Sequence, residues 1–229
     1  MNWDVLFDFT PVFDNSDKIF KSFWATIRLS VTTGVLALIL GTILAGMRVA
    51  PTPVLRAAGT IYVNVFRNTP LTLVLAFCAL GLSDTLHIKL SGQSTVNYYW
   101  LAVFGLAAYT AAFVCEALRS GINTVPLGQA EAARAIGLTF TQSLRLIILP
   151  QAFRAVIAPL GSIAIAMTKN TTVVLVASYA EAASEMKQMF DDYGATLPIF
   201  IAFAVGFMFL TLPMGFFFGW LSKRMAVAR

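Results

Sequence analysis

The chain has 229 residues, 58% of them hydrophobic and 12% charged, with a formal net charge of +5. Its mean hydropathy is +0.77, whereas a soluble domain is roughly 45–50% apolar and about 25% charged. This balance excludes an ordinary soluble globule, a disordered chain, a collagen and a nucleic-acid-binding domain. Two cysteines and one histidine leave no set of residues for a disulfide framework or a metal cluster. Cys78 and Cys115 both lie in apolar stretches and read as small buried thiols.

The amino-terminal segment carries Asp4, Asp8, Asp14 and Asp17 where a signal peptide needs a basic region, so no signal peptide is read there. Residues 16–24 are expected to form a short amphipathic helix ahead of the first span. Ile19, Phe20, Phe23 and Trp24 form its apolar face in the headgroup zone.

Crossing a bilayer takes about 20 apolar residues. Residues 29–47 carry no charge and supply the first span. Residues 57–83 supply a second, running through Arg67. Residues 91–115 are charge-free and hold a third, entered at Tyr98 and Trp100 as interface aromatics. Residues 155–180 are interrupted only by Lys169, and residues 193–222 are charge-free. In the last of these, Gly215 and Gly219 form a GxxxG pair, a candidate close helix contact. The expected fold is therefore all-α: one integral membrane domain over 1–229, with spans at 25–47, 58–82, 97–118, 155–178 and 196–221.

Five spans put the termini on opposite sides. With the carboxyl terminus inside, the inner segments hold Arg48, Arg56, Arg67, Arg119, Arg134, Arg145, Arg154, Lys223, Arg224 and Arg229 against Glu116 and Glu131. The remainder is net acidic. A basic excess marks the cytoplasmic side, so the amino terminus is expected outside.

The longest inside segment, 120–153, is helical in character. Residues 129–136 (QAEAARAI) are strong helix formers, and Gly137 is placed to end them. Thr139 and Gln142 have the spacing of a capping box for a second helix running toward Pro150. Two short helices joined at a glycine make an elbow. Ala132 and Ala133 are small enough for close approach to another surface. Glu131, near the helix start, is favoured by the macrodipole and is a candidate acceptor for a partner's basic group. The bland alternative is a plain amphipathic connector.

Polar groups at membrane depth are costly and face a bundle interior or a wet path. Lys169 lies roughly 20 Å along its helix from Val156, followed by Asn170 and Thr171. A cation with amide and hydroxyl donors suits a carboxylate; pairing with a neighbouring acid, or snorkelling, is the structural alternative. Arg67, Asn68, Thr69 and Pro70 form a second cluster, where Pro70 favours a break and freed backbone groups can meet polar cargo. Glu116 is placed to balance Arg67 or Arg119, or to meet an amino group. His87, in an outer loop, is a poor general base. No segment reads G-x-x-x-x-G-K-[ST], so the chain has no ATP-phosphate cradle.

The stretch EAARAIGLTFTQSLRLIILP resembles the EAA loop of bacterial ABC-importer permeases: Glu131, Ala132, Ala133, Gly137, Ile147, Leu149 and Pro150 stand at the family's positions without a gap. FRNTPLTLVLAF, LRSGINTV, TKNTTVVLV and TLPMG resemble polar-amino-acid permeases, most of all those of actinobacterial glutamate-uptake systems. The resemblance implies a type I (MetI-like) permease fold, with Glu131, Ala132, Ala133, Gly137 and Leu138 coupling to an ATPase. It implies a substrate path past Arg67, Asn68, Thr69, Pro70, Glu116, Lys169, Asn170 and Thr171. It further implies ABC ATPase subunits holding ATP and Mg2+, a second permease chain, identical or related, and an extracytoplasmic amino-acid-binding protein, with this chain itself multi-pass in the bacterial plasma membrane. No cofactor or metal is expected on this chain, and no nucleic acid as partner. Glutamate is the expected cargo, with glutamine, aspartate or a basic amino acid as alternatives. A stand-alone channel, an ion-coupled carrier or an intramembrane enzyme is the reading to be excluded.

Overall fold

In a computed structural model, which describes residues 8–194 and 197–225, the regular structure is helical throughout. Asp4, Arg229 and residue 196, which enter the expectations above, lie outside the described residues. The helices are α1 (Thr10–Asp14), α2 (Ser16–Val49), α3 (Pro53–Asn68) and α4 (Leu71–Ala76), which continues as a π-helix over Phe77–Thr85. Then come α5 (Ser94–Asn123) and α6 (Leu127–Ala135). A short helix, Phe140–Ser143, and a π-helical turn, Leu144–Ile148, lead into α7 (Leu149–Asn170) and a 3-10 segment, Thr171–Ala177. The chain closes with α8 (Ala182–Tyr193) and α9 (Leu197–Met225). Among the described residues, four stretches are long and apolar enough to cross a membrane: Ser16–Val49, Ser94–Asn123, Thr141–Ala177 and Leu197–Met225. The pair α3 and α4 makes a fifth if it is one bent span.

Proline punctuates this order. Ala50 leaves α2 extended (ψ 148°) before Pro51, and Pro53 opens α3, where its missing N–H costs nothing. The second span, expected to kink or break at Pro70, is two helices bent 104° apart. Pro70 disfavours helical geometry in the residue before it, and Thr69 is extended (φ −100°, ψ 131°). The expected separate helix over 16–24 is absent for the opposite reason: neither Pro nor Gly interrupts 16–33, so α2 runs on without a joint. Its supposed single apolar face divides. Ile19 and Phe23 pack inward, Phe23 against Phe203 and Phe207 at 5.7 and 5.3 Å, while Phe20 and Trp24 face out.

α5 is the centre of the bundle, packed on α2, α3 and α7. Ala102, Leu106, Ala111 and Cys115 along it are fully buried, and Cys78 is buried too. The crossings are close because glycines sit in them. A Cβ on Gly41 would stand 2.5 Å from Val114 Cγ1, and one on Gly121 would stand 2.1 Å from Val156 Cγ1. Among the described residues the GxxxG pair makes no such contact. A Cβ on Gly215 would meet nothing nearer than Ile165 at 3.8 Å, and one on Gly219 nothing within 4 Å. α9 instead leaves Phe209, Phe216 and Trp220 exposed, as a bilayer-facing helix does.

Candidate functional site

The elbow is built by backbone hydrogen bonds that a glycine permits. Gly137 sits at φ +86°, where a side chain is strained. Leu138 N–H donates to the Ala133 carbonyl at 3.0 Å and Gly137 N–H to that of Arg134 at 3.0 Å. Those two bonds are a Schellman motif, which satisfies the last carbonyls of α6. The chain then restarts with a reciprocal cap. Gln142 N–H donates to Thr139 Oγ1 at 3.3 Å, and Thr139 N–H donates to Gln142 Oε1 at 2.9 Å. A side-chain bond from Gln151 Nε2 to Gln129 Oε1 ties α6 back to α7. The second arm of the elbow is not a free helix: it runs through Pro150, which stands in the first turn of α7, into the fourth span.

The small residues divide their roles. Ala133 is buried, while Glu131 and Ala132 face solvent. Glu131 is the fifth residue of α6, beyond its first turn, so the macrodipole does little for it. Among the described residues it has no hydrogen-bond or ion-pair partner. Leu127, Ile136 and Leu146 also stand exposed, at 81%, 77% and 63%. The elbow thus turns an acid and three apolar side chains outward from the chain.

The second cluster surrounds the α3–α4 break. Glu116 on α5 pairs with Arg48 at the end of α2, and its other oxygen lies 3.6 Å from Arg67 Nη1 at the end of α3. The carboxylate thus gathers three helices, and Arg119 makes no ion pair with it. Arg48 carried no site expectation; as one of ten inner basic residues it gave no sign of a special partner. Asn68 Nδ2 donates to the Asn64 carbonyl at 2.7 Å and Thr69 Oγ1 to that of Val65 at 2.8 Å. These side chains close the end of α3 that Pro70 leaves open.

Lys169 and its neighbours mark the end of α7. The Lys169 side chain is exposed and, among the described residues, makes no ion pair. Thr172 Oγ1 donates to the Lys169 carbonyl at 2.9 Å. Thr171 is fully buried, its hydroxyl donating to the Thr168 carbonyl at 2.7 Å. Asn170 borders an open cavity of about 390 Å³ between α5 and α7, lined also by Tyr109, Thr110, Phe113 and Ser162. The structure therefore joins Arg67 to Glu116, and sets Lys169 and Asn170 as a separate group. Among the described residues no three His, Cys, Asp or Glu side chains gather as a metal site.

Residues 37–227 match the family described as "Binding-protein-dependent transport system inner membrane component". Over 222 residues the chain is 49% identical to the "Glutamate transport system permease protein GluC" of Corynebacterium efficiens, covering 94% of this chain and 97% of that one. The protein of the same description from Corynebacterium glutamicum matches to the same extent. The fold is similar to that in the "Crystal structure of an amino acid ABC transporter with histidines". There the TM-score is 0.86 at 24% identity, over 95% of this chain and 98% of that one.

Proposed function

Since the chain belongs to the binding-protein-dependent transport system inner membrane components, we propose that it forms half of the membrane path of an ATP-driven importer for glutamate. It is a transport subunit and not an enzyme; ATP hydrolysis belongs to a separate subunit. The cargo rests on 49% identity to two glutamate permeases. The observation that carries the mechanism is the elbow, where Glu131, without a partner among the described residues, stands with exposed Leu127 and Ile136 on a Schellman corner.

In this reading the elbow sits in a groove of the ATPase, on the cytoplasmic side marked by Arg119, Arg134, Arg145 and Arg154, with the amino terminus outside. Two ATPase subunits hold ATP and Mg2+; this chain holds no cofactor or metal. A second permease, identical or related, completes the path, and an extracytoplasmic binding protein delivers the amino acid. Because the elbow's second arm is continuous with α7, closure of the ATPases moves the fourth span directly. Lys169 and Asn170 at the far end of that span meet the cargo carboxylate as they move, while Arg67 and Glu116 hold the inner end of the path. ATP binding turns the path outward and hydrolysis returns it.

The test is an uptake panel of radiolabelled amino acids in a strain lacking this gene, with the gene restored. Restored glutamate uptake is expected, with glutamine and arginine uptake unchanged. Restoration of glutamine or arginine uptake without glutamate contradicts the assignment.

A further inference from the structure

Glu181 caps α8 from a position with no exposed surface. Its Oε1 accepts from the backbone N–H groups of Ala183 at 2.9 Å and Ser184 at 3.2 Å. Its Oε2 lies 3.2 Å from Thr26 Oγ1 on α2. That hydroxyl also accepts from Ala182 N–H at 3.1 Å and stands 3.2 Å from the Ser22 carbonyl. The arrangement ties the start of α8 to α2 through one carboxyl group and one hydroxyl.

The proton count decides its state. Thr26 has one hydroxyl proton and cannot serve both the Ser22 carbonyl and a Glu181 carboxylate. With Glu181 protonated, its O–H donates to Thr26 Oγ1, and Thr26 donates to Ser22. The two lone pairs of Oγ1 then take Glu181 and Ala182, and every group is satisfied. Ionisation breaks this closed set and leaves a buried charge.

Among the described residues no cation compensates that charge. From α2, Lys18 and Lys21 are exposed and Arg28 is committed to the Tyr179 hydroxyl at 2.9 Å. From α9, the contact is made by Ile199 and Phe203, and no charge precedes Lys223. The Thr171–Ala177 segment has no ionisable side chain. On α8 itself stand Glu185, whose backbone N–H donates to the Glu181 carbonyl at 3.0 Å, and Lys187, paired with Asp191.

We propose that Glu181 is a proton-operated latch: protonated, it fastens α8 to α2, and ionised, it loosens that helix. Burial, outweighing its hydrogen bonds, pushes the Glu181 carboxyl up from 4.5 to about 7. A raised carboxyl stabilises the folded state fully below its ordinary value and loses that contribution as pH rises through the folded value. The latch is therefore fastened in mildly acidic medium and loosened in mildly alkaline medium. Which compartment it reads rests on the orientation proposed above; its existence does not.

The test is amide exchange in 182–193 of the full-length permease in lipid nanodiscs, corrected for the intrinsic pH dependence of exchange. Between about pH 5.5 and about pH 8.5, opening of α8 in the unaltered chain is expected to rise about thirtyfold. Glu181→Gln, whose amide donates to Thr26 and accepts from the two backbone N–H groups, is expected to stay protected and flat. Thermal unfolding over the same range is expected to drop by several degrees in the unaltered chain and to hold level in the variant. An equal rise in both chains, a flat unaltered chain, or a variant open at every pH overturns the latch. Neither readout needs glutamate or ATP, so a wrong cargo assignment leaves the result standing.

Discussion

Glu116 shows how much one side chain organises. It touches Arg48, whose side chain is 9% exposed, and lies near Arg67, whose side chain is 46% exposed. Removing one partner of a buried pair leaves an uncompensated charge and costs ~3–5 kcal/mol, while an exposed pair is worth ~0–1 kcal/mol. Glu116 is itself about one-third exposed, so Glu116→Gln is expected to cost about 2 kcal/mol, or about 4–8 °C in unfolding temperature. Arg67→Gln is expected to shift that temperature by less than about 2 °C. Equal losses in the two variants would show that Glu116 and Arg48 are not the dominant pair. The sequence pointed to Glu116 as an ion-pair residue but not to Arg48, because a spacing along one helix does not show which distant helix end will meet it. The burial of Glu181 was equally hidden: alanines flank it, and nothing local marks a carboxyl that α2 and α9 will cover.

At the scale of the element, the elbow was the most legible part of the chain. Its glycine stop and its Thr139–Gln142 cap are short-range devices, and both formed as their spacing required. What local pattern left open was the direction of Ala133, which turned inward, and the continuity of the second arm with α7. Pro150 has no N–H to give to the preceding turn, and the chain passes it through the π-helical turn Leu144–Ile148 instead of through a new helix start. The 104° bend at Thr69 was foreseen as a break but not as a corner, since proline sets where regular geometry stops and not the angle at which it resumes. Two substitutions separate the elbow's shape from its contacts. Gly137→Pro removes an N–H that bonds the Arg134 carbonyl and forbids φ +86°, so about 3 kcal/mol of local stability is lost. Glu131→Lys lies on an exposed face and is expected to stay within about 0.5 kcal/mol of the unaltered chain. Both are expected to insert normally in the membrane and to lose ATP-linked uptake by at least about tenfold, measured in the uptake strain. Normal uptake in Glu131→Lys would remove that residue from the coupling surface.

The whole molecule reads as a bundle wrapped on α5, with one lever leaving it. Charge-free runs revealed the long helices, because the bilayer imposes a length on any helix that crosses it. They did not reveal the glycine contacts at Gly41 and Gly121, which depend on which helices become neighbours. The chain has no phosphate-gripping loop of its own, and its elbow presents an acid and apolar side chains outward. The central claim is that work enters through that elbow from an ATPase. The most direct measurement is glutamate accumulation in proteoliposomes holding the permease chain or chains, with and without the ATPase, in the presence of binding protein and ATP. Accumulation is expected only when all parts are present and Glu131 is intact; concentration of glutamate by the permease without its ATPase would contradict the account.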